Sequence, residues 1–419
     1  MAAGRLLKFV IEGIGDVVQK YYAPALKSLM DEGKIHVTFV DQSDYWKGDE
    51  RLKAKHEKFI RLFQSWGANY LDKSTADGRK KYANLRVNVV FVATPDSTHV
   101  DVALPWLNPP DRRQLLFVEK PLDSSLDRAR DFLYKTKIRD PNIRVLDHYL
   151  ARAHPLHDPN VLSDIYEALG GHVIGFSFYL LENRSGPPRV GPIENDSRVQ
   201  ATRHGMILDL MPHILALLST FGIIETMRVT SLRVGQYTGV DGELSKRSLI
   251  DRETFAHASF GLLSHYPGSF IHGNAYVGKG IRGSKSLAID GDVKLLELEG
   301  ANGSKLQCDL RSSGAGSSEA WIISEDGKKE LACSLTPDPY NLLIRNAVQL
   351  LEEPYHKSQL SLPVETAKSI LSVLEEMRWL FRSVEKELLP QYALGDGGNE
   401  APYLEDLLNE LPQILSKVS

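Results

Sequence analysis

The sequence predicts an α/β protein, in which an N-terminal doubly wound parallel sheet precedes an α+β domain with a large, mostly antiparallel sheet. Two observations carry this prediction. Within residues 1–150, short apolar runs alternate with helical patterns, and continuous apolar runs are typical of parallel strands that helices cover on both faces. Between residues 227 and 335, β-type runs follow one another with few helices among them, which favours antiparallel pairing.

The chain has 419 residues, which is too long for one ordinary hydrophobic core, so two domains are expected. We place the first domain at residues 1–150, the second at residues 151–390, and a linker with a C-terminal helix at residues 391–419. Leucines at helical spacing in that last segment predict a helix that docks on the body or, alternatively, takes part in an oligomer contact. The long polar stretch 183–204 predicts a lid or a binding loop.

Composition narrows the classes of partner. The formal net charge of −4 argues against a nucleic-acid surface, which would need an excess of clustered lysine and arginine. No apolar stretch reaches the roughly 18 residues of a membrane span. The two cysteines, Cys308 and Cys333, stand outside any CxxC pattern, so we expect buried thiols, a reducing cytoplasmic location and no metal site. A small molecule is the expected partner.

Distinctive residues follow the ends of all five strands expected in residues 1–150. In open parallel sheets, ligands bind beyond the carboxyl ends of the strands, so these residues are expected to line one crevice. They are Gly13 and Gly15, Asp41, Thr94 and Pro95, Glu119 and Lys120, and Asp147 and His148.

The turn after the first strand predicts a dinucleotide site. Residues 13–17 supply two of the three glycines of the fingerprint, and Val18 replaces the third. An ordinary strand-to-helix turn is the alternative. Asp41 ends the second strand, where a carboxylate binds both ribose hydroxyls, so NAD is preferred over NADP, although Lys47 and Arg51 would still reach a phosphate. A solvated turn aspartate is the alternative for Asp41.

Two further positions suit proton transfer at an alcohol. Hydride transfer from a secondary alcohol needs a base for the hydroxyl proton and a cation near the developing alkoxide. Lys120 follows a strand directly, and His213 lies four residues after Asp209, which places both on one face of an apolar helix. An exposed lysine and a satisfied core histidine are the alternatives. Asp147 and His148 supply a second acid and a second imidazole.

These motifs resemble the Gfo/Idh/MocA oxidoreductase superfamily. The resemblance rests on ATPDSTHVDVA (93–103), EKPL (119–122), the Asp209 to His213 spacing and the late PYNLLIRNAVQLLE, and it spans nearly the whole chain. It implies an NAD(P)-binding Rossmann domain and a catalytic set of Lys120, Asp209 and His213. We assign to the cofactor Gly13, Ile14, Gly15, Asp16, Val17, Asp41, Thr94, Pro95, His99, Glu119 and Lys120.

A second resemblance is to glucose-6-phosphate dehydrogenase, carried by IEGIGDVVQKYYAPAL, LDHYLARA, HGMILDLMPH and YVGKGIR. It implies that Asp147 assists His213 and that Glu182 contacts sugar hydroxyls. It also implies a phosphate site formed by His148, Tyr149, Arg152 and Lys279. The chain departs from that family where Glu12 replaces the first glycine, where Arg152 replaces a lysine, and where the Asp209 to His213 spacing is one residue shorter.

The sequence therefore predicts a dehydrogenase that moves a hydride between NAD, or NADP, and a secondary alcohol of a sugar, sugar phosphate or cyclitol. We expect a homo-oligomer, either a dimer or a tetramer, because the open face of such a sheet commonly meets a copy of itself in this superfamily. The alternative is a non-catalytic protein of the same fold that senses NAD or a sugar, because a fold alone does not establish chemistry.

Overall fold

The structure is a computed structural model that describes residues 6–107, 114–136, 142–182, 205–224, 227–235, 255–263, 270–279, 293–311, 318–353 and 360–392. The chain divides into two compact units. The first comprises residues 1–157 and 336–371, and the second comprises residues 158–335 and 372–419. The expected fold class is confirmed, since the first unit holds a parallel sheet and the second a mostly antiparallel one.

The sheet of the first unit has seven strands in the order β15-β6-β5-β4-β1-β2-β3. All neighbours pair in parallel except β15, which runs antiparallel to β6 at the edge. The strand order reverses between β1 and β4, which is where a doubly wound sheet opens a ligand crevice. The strands are β1 (Leu7–Glu12), β2 (Ile35–Asp41), β3 (Asn69–Asp72), β4 (Val89–Val92), β5 (Leu115–Glu119), β6 (Ile143–Leu146) and β15 (Ser361–Pro363).

Helices connect these strands, as parallel pairing requires. A π-helical turn, Val18–Tyr22, leads directly into the first of them. The helices are α1 (Ala23–Asp31), α2 (Glu50–Ser65), α3 (Ala76–Ala83), α4 (His99–Ala103), α5 (Leu126–Thr136), α6 (His148–Arg152) and α10 (Pro339–Glu352). A further helix, α11 (Val364–Tyr392), begins in this unit.

The late helix α10 belongs to the core of the first unit, whereas the sequence analysis places its residues in the second domain. Its apolar face packs against α1, α6 and the π-helical turn. The buried side chains of this core include Tyr340, Leu343, Ile344 and Ala347 of α10 together with Tyr22. Residues 336–371 therefore belong to the first unit, although the rest of that unit lies within residues 1–157.

Two strands of the first sheet were not expected from the sequence. Strand β3 has only four residues, two of them polar, and β15 has only three. Both lie at the edges of the sheet, where one side needs no pairing and a continuous apolar run is unnecessary.

The second unit holds an eight-stranded sheet in the order β14-β13-β12-β11-β7-β10-β9-β8. Pairing is antiparallel except between β7 and β10. The strands are β7 (Val173–Glu182), β8 (Met227–Gly235), β9 (Phe255–Leu263), β10 (Phe270–Lys279), β11 (Val293–Gly300), β12 (Lys305–Asp309), β13 (Glu319–Ile323) and β14 (Lys329–Ser334).

Three described helices lie wholly within the second unit: α7 (Pro159–Ala168), α8 (Gly205–Asp209) and α9 (Met211–Ser219). The last two pack on β9 and β10. The sequence analysis treats them as one continuous helix, and the structure corrects this with a break at Leu210. Pro212 has no N–H to donate to the carbonyl of Leu208, so the helix ends and restarts there.

The expected loop 183–204 and the C-terminal helix of residues 393–419 lie outside the described residues. No helix in the described part of the chain is both long enough and apolar enough to cross a lipid bilayer.

Candidate functional site

Gly13 makes the turn after β1, and its conformation admits no side chain. Its φ is +96°, in the region that L-residues rarely adopt, and a Cβ added there would lie 2.8 Å from the carbonyl oxygen of Ala93. Its N–H donates to the carbonyl of Val40 at 2.8 Å, while the N–H of Ala93 donates to the carbonyl of Glu12 at 3.0 Å. The turn is thereby tied to β2 and β4, on both sides of β1.

Gly15 opens the helical segment, and the space beside it is open. Among the described residues, no atom lies within 4 Å of a Cβ built on Gly15. Backbone N–H groups at the start of a helix attract phosphate, and glycine lets a pyrophosphate approach them closely. Ile14 is buried in the core, Val17 is exposed, and Asp16 forms an ion pair with Lys55 of α2. The turn therefore fits a dinucleotide, with Gly15 as its point of close approach.

Asp41 lies at the end of β2 within a group of polar and aromatic side chains. The indole N–H of Trp46 donates to its carboxylate at 3.0 Å, and the Nδ1 atom of His56 lies 3.7 Å from the same oxygen. Its register partner on β3 is Asp72, which accepts hydrogen bonds from the N–H and hydroxyl of Ser43 at 3.1 and 2.6 Å. Two carboxylates thus lie side by side at this corner of the sheet.

Lys120 follows β5 directly, and its peptide bond to Pro121 is cis. The preceding residue, Glu119, is buried, and its carboxylate accepts a hydrogen bond of 2.5 Å from the hydroxyl of Tyr22. Burial raises the pKa of Glu119 to about 7, although Tyr22 and the charge of Lys120 act in the opposite direction. This carboxyl can therefore hold or release a proton near neutral pH, immediately beside the lysine.

Asp147 is a second buried acid, at the end of β6 and next to the β5 end. It caps α6, because its carboxylate accepts from the N–H groups of Tyr149 and Leu150 at 2.9 and 3.3 Å. Burial raises its pKa, while the charges of His148 and Lys120 lower it. The structure thus assigns Asp147 a capping role, and its action on His213 stays a prediction.

His99 lies inside the unit and joins two loops. Its Nδ1 atom lies 2.8 Å from the carbonyl oxygen of Pro121, and its Nε2 atom lies 2.7 Å from that of Thr94. Burial lowers its pKa, and the two carbonyls act against that effect. Both ring nitrogens are therefore turned toward backbone. The imidazole connects the Thr94–Pro95 turn to the turn after Lys120, and direct cofactor contact by His99 stays a prediction.

The residues expected to hold a phosphate in the first unit lie on α6. Tyr149 and Arg152 are buried, and burial lowers the pKa of Arg152. The His148 ring lies half-buried between two aromatic neighbours, with centroid distances of 4.2 Å to Tyr149 and 5.9 Å to Tyr340. An imidazole, a phenol and a guanidinium are thus gathered on one short helix.

In the second unit, Asp209 ends α8 and His213 lies on α9. His213 is buried, and its backbone N–H donates to the carbonyl of Leu210 at 3.1 Å. The helix is interrupted at Leu210, so Asp209 and His213 lie on two successive helical segments, and the face that the sequence predicts for both residues stays a prediction. Glu182 and Lys279 are register partners in the parallel pair β7–β10, so the backbone places them at the same strand ends.

Sequence reasoning missed Tyr22 and Tyr340, which surround Glu119. Their ring centroids are 5.1 Å apart, and both phenols have pKa values that burial raises. Val18, Tyr22 and Leu26 recur at helical spacing, which indicates a buried face. A buried tyrosine needs a partner for its hydroxyl, and this is the signal that would have pointed to an acid nearby.

No protein-family model and no curated protein matches the chain. Among solved structures, it is similar to KijD10, a 3-ketoreductase from Actinomadura kijaniata in complex with NADP and TDP-benzene, at 15% identity and a TM-score of 0.62. That match covers 90% of this chain and 98% of KijD10. It is also similar to the UDP-N-acetylglucosamine 3-dehydrogenase GnnA from Acidithiobacillus ferrooxidans, at 14% identity and a TM-score of 0.58, covering 89% and 97% of the two chains. These likenesses show a shared two-part fold.

The two glycines of the turn should respond differently to alanine. Gly13→Ala should lower the free energy of unfolding by about 1–3 kcal/mol, because it combines a positive φ with a backbone clash. Gly15→Ala should leave that free energy close to wild type and weaken NAD binding about tenfold, because its Cβ occupies the open space. Urea denaturation and calorimetric titration measure the two effects. Wild-type stability of Gly13→Ala would contradict this account of the turn.

Glu119 should make stability depend on pH. Its pKa is raised from 4.5 in the unfolded chain to about 7, so its stabilising contribution is complete below pH 4.5 and is lost as pH rises through 7. Glu119→Gln keeps an acceptor for Tyr22 and removes this loss. The free energy of unfolding of the variant, measured by urea denaturation relative to wild type, should therefore rise by about 2–3 kcal/mol from pH 5 to pH 8. The exposed Glu50→Gln serves as control, and parallel wild-type and Glu119→Gln profiles would refute the assignment.

Proposed function

We propose that the protein is a nicotinamide-dependent oxidoreductase that acts on a secondary alcohol of a sugar or sugar derivative. The observation that carries the proposal is the carboxyl edge of the first sheet. There, a turn that requires glycine at Gly13 shares the edge with Lys120 and two buried acids, Glu119 and Asp147. Oxidation of an alcohol by a dinucleotide requires a site that binds the pyrophosphate and a charged group near the reacting oxygen. The glycine turn and Lys120 suit these two roles.

The similar structures support the same class. KijD10 is described as a 3-ketoreductase and is bound to NADP, and GnnA is described as a 3-dehydrogenase of UDP-N-acetylglucosamine. Both descriptions concern oxidation or reduction at a position numbered 3, and that of GnnA names a nucleotide-linked sugar. The resemblance to the Gfo/Idh/MocA superfamily points to the same chemistry, whereas a glucose-6-phosphate dehydrogenase activity is not part of the proposal.

We assign the proton and charge steps to residues of this chain. The ammonium of Lys120 steadies the substrate oxygen as negative charge develops on it, and His213 accepts the hydroxyl proton. Glu119 and Asp147 favour the cation at Lys120 through their negative charge. Asp209 orients His213. A bound nicotinamide supplies the hydride acceptor in oxidation and the hydride donor in reduction.

We further propose that NAD is preferred over NADP. Asp41 and its register partner Asp72 place two carboxylates at the corner where a dinucleotide carries its adenosine ribose. A 2′-phosphate would meet like charge there. In this respect the chain would differ from KijD10, whose structure contains NADP. The ligand groups on α6 (His148, Tyr149 and Arg152), together with Glu182 and Lys279, are proposed to contact the substrate.

Substitution of the two proposed catalytic groups tests the function. A panel of sugars, inositols, sugar phosphates and nucleotide-linked sugars is first assayed with NAD and NADP at 340 nm. On the substrate found, Lys120→Met and His213→Ala should each lower kcat/KM by about 100-fold or more, because each removes a charge or proton-transfer group from the transition state.

Matched controls separate chemistry from folding. Lys53→Met on the exposed side of α2 and His36→Ala at the start of β2, the opposite edge of the sheet, should keep wild-type kcat/KM. Full activity of Lys120→Met or His213→Ala would contradict the assignment. Dinucleotide binding without turnover of any substrate would favour a sensor of the same fold.

A further inference from the structure

A buried carboxylate lies beneath the nucleotide turn. Glu12 is the last residue of β1, it is fully buried, and it directly precedes Gly13. The proposed chemistry does not use it. Burying an ionised carboxylate is costly unless it is paired and hydrogen-bonded, so its partners indicate what it does.

Three donors surround Glu12. The ammonium of Lys73 lies 2.8 Å from one carboxylate oxygen, and the hydroxyl of Tyr82 and the indole N–H of Trp106 donate to the other at 2.6 and 3.0 Å. Lys73 also lies over the ring of Tyr82, with its ammonium 4.7 Å from the centroid. Of these partners, Lys73 carries the opposite charge, so it forms the ion pair.

Lys73 starts beside Asp41. It directly follows β3, and its backbone N–H donates to the carbonyl of Asp41 at 2.8 Å. Its side chain then reaches Glu12 on β1, which is the next strand beyond β2, and only 12% of that side chain is exposed. The side chain of Lys73 therefore extends from β3 past the end of β2, where the proposed ribose site lies. Its ammonium is bound to Glu12 at the end of β1.

The other lysine at this corner is also held by an acid. Lys47 lies 3.2 Å from the carboxylate of Asp72. Both lysines that flank Asp41 in the described structure are thus paired with carboxylates. A cation near the 2′ oxygen is what favours NADP over NAD, and each of these two lysines has an acidic partner instead.

We infer that Glu12 determines cofactor specificity by holding the ammonium of Lys73 away from the ribose site. Without the carboxylate of Glu12, Lys73 would lose this partner and would remain anchored by its backbone beside Asp41. Glu12 therefore affects the cofactor through Lys73 and does not contact the cofactor itself. The inference rests on the proposed function, because it presumes that a dinucleotide binds at the Gly13 turn.

The test measures binding, independently of turnover. Calorimetric titration gives the dissociation constants of NAD and NADP for the wild-type chain and for Glu12→Gln. The variant keeps an acceptor for Tyr82 and Trp106 but loses the charge that holds Lys73. The ratio of the NADP constant to the NAD constant should fall about tenfold, because a freed ammonium gains a phosphate partner.

Two further variants isolate the cause. Tyr82→Phe removes a neutral donor from the same carboxylate and should leave the ratio unchanged. Lys73→Met added to Glu12→Gln should return the ratio to the wild-type value. Thermal unfolding of each variant confirms that it is folded. If Glu12→Gln does not fold, Glu12→Asp, which withdraws the carboxylate and keeps its charge, should shift the ratio in the same direction by less.

The outcomes separate the two proposals. An unchanged ratio in folded Glu12→Gln, or in Glu12→Asp where only that variant folds, overturns the role of Glu12 and leaves the proposed function intact. An equal shift in Tyr82→Phe also overturns it, because the effect would then not depend on charge. Failure of the wild-type chain to bind either dinucleotide overturns the proposed function and this inference with it.

Discussion

A carboxylate that is removed from water needs donors or opposite charge, and three acids at one edge of the first sheet impose this requirement. Glu12, Glu119 and Asp147 end β1, β5 and β6 or directly follow them, and all three are buried. Glu12 meets the requirement through its ion pair with Lys73, and Glu119 meets it through the hydroxyl of Tyr22. Asp147 meets it through the N–H groups of α6. These contacts connect the strand ends to the loops and helices that form the proposed cofactor site.

The contact between Tyr22 and Glu119 joins the two ends of that site. Tyr22 belongs to the π-helical turn that follows the glycine turn, and Glu119 precedes Lys120. Irregular turns of this kind often occur at functional sites, because they redirect a side chain that a regular helix would point elsewhere. The turn that would carry the pyrophosphate and the strand that carries the lysine are therefore fixed to each other by one buried hydrogen bond.

Much of this arrangement follows from local sequence patterns. Apolar runs predict five strands, and a glycine with a required positive φ marks the turn, since both depend on residues that are adjacent in the chain. The place of α10 could not be predicted, because its packing against Tyr22 joins segments more than three hundred residues apart. The partners of Glu12 and Glu119 were missed for the same reason, since a side-chain hydrogen bond between segments that are distant in sequence leaves no periodic signal.

The break between α8 and α9 shows a local effect that pattern reasoning overlooked. Apolar residues recur at helical spacing throughout residues 205–222, so one helix was inferred. The single proline, which interrupts the backbone hydrogen bonds, was not taken into account. The single helix inferred for Asp209 and His213 was therefore wrong, because the two residues lie on separate helical segments.

The most direct test of the central claim is a crystal structure of the protein grown with NADH. The account predicts the pyrophosphate on the backbone N–H groups of residues 14–17, the adenosine ribose beside Asp41, and the nicotinamide next to Lys120. A dinucleotide bound away from the carboxyl edge of the first sheet, or bound there with its nicotinamide remote from Lys120, would contradict it.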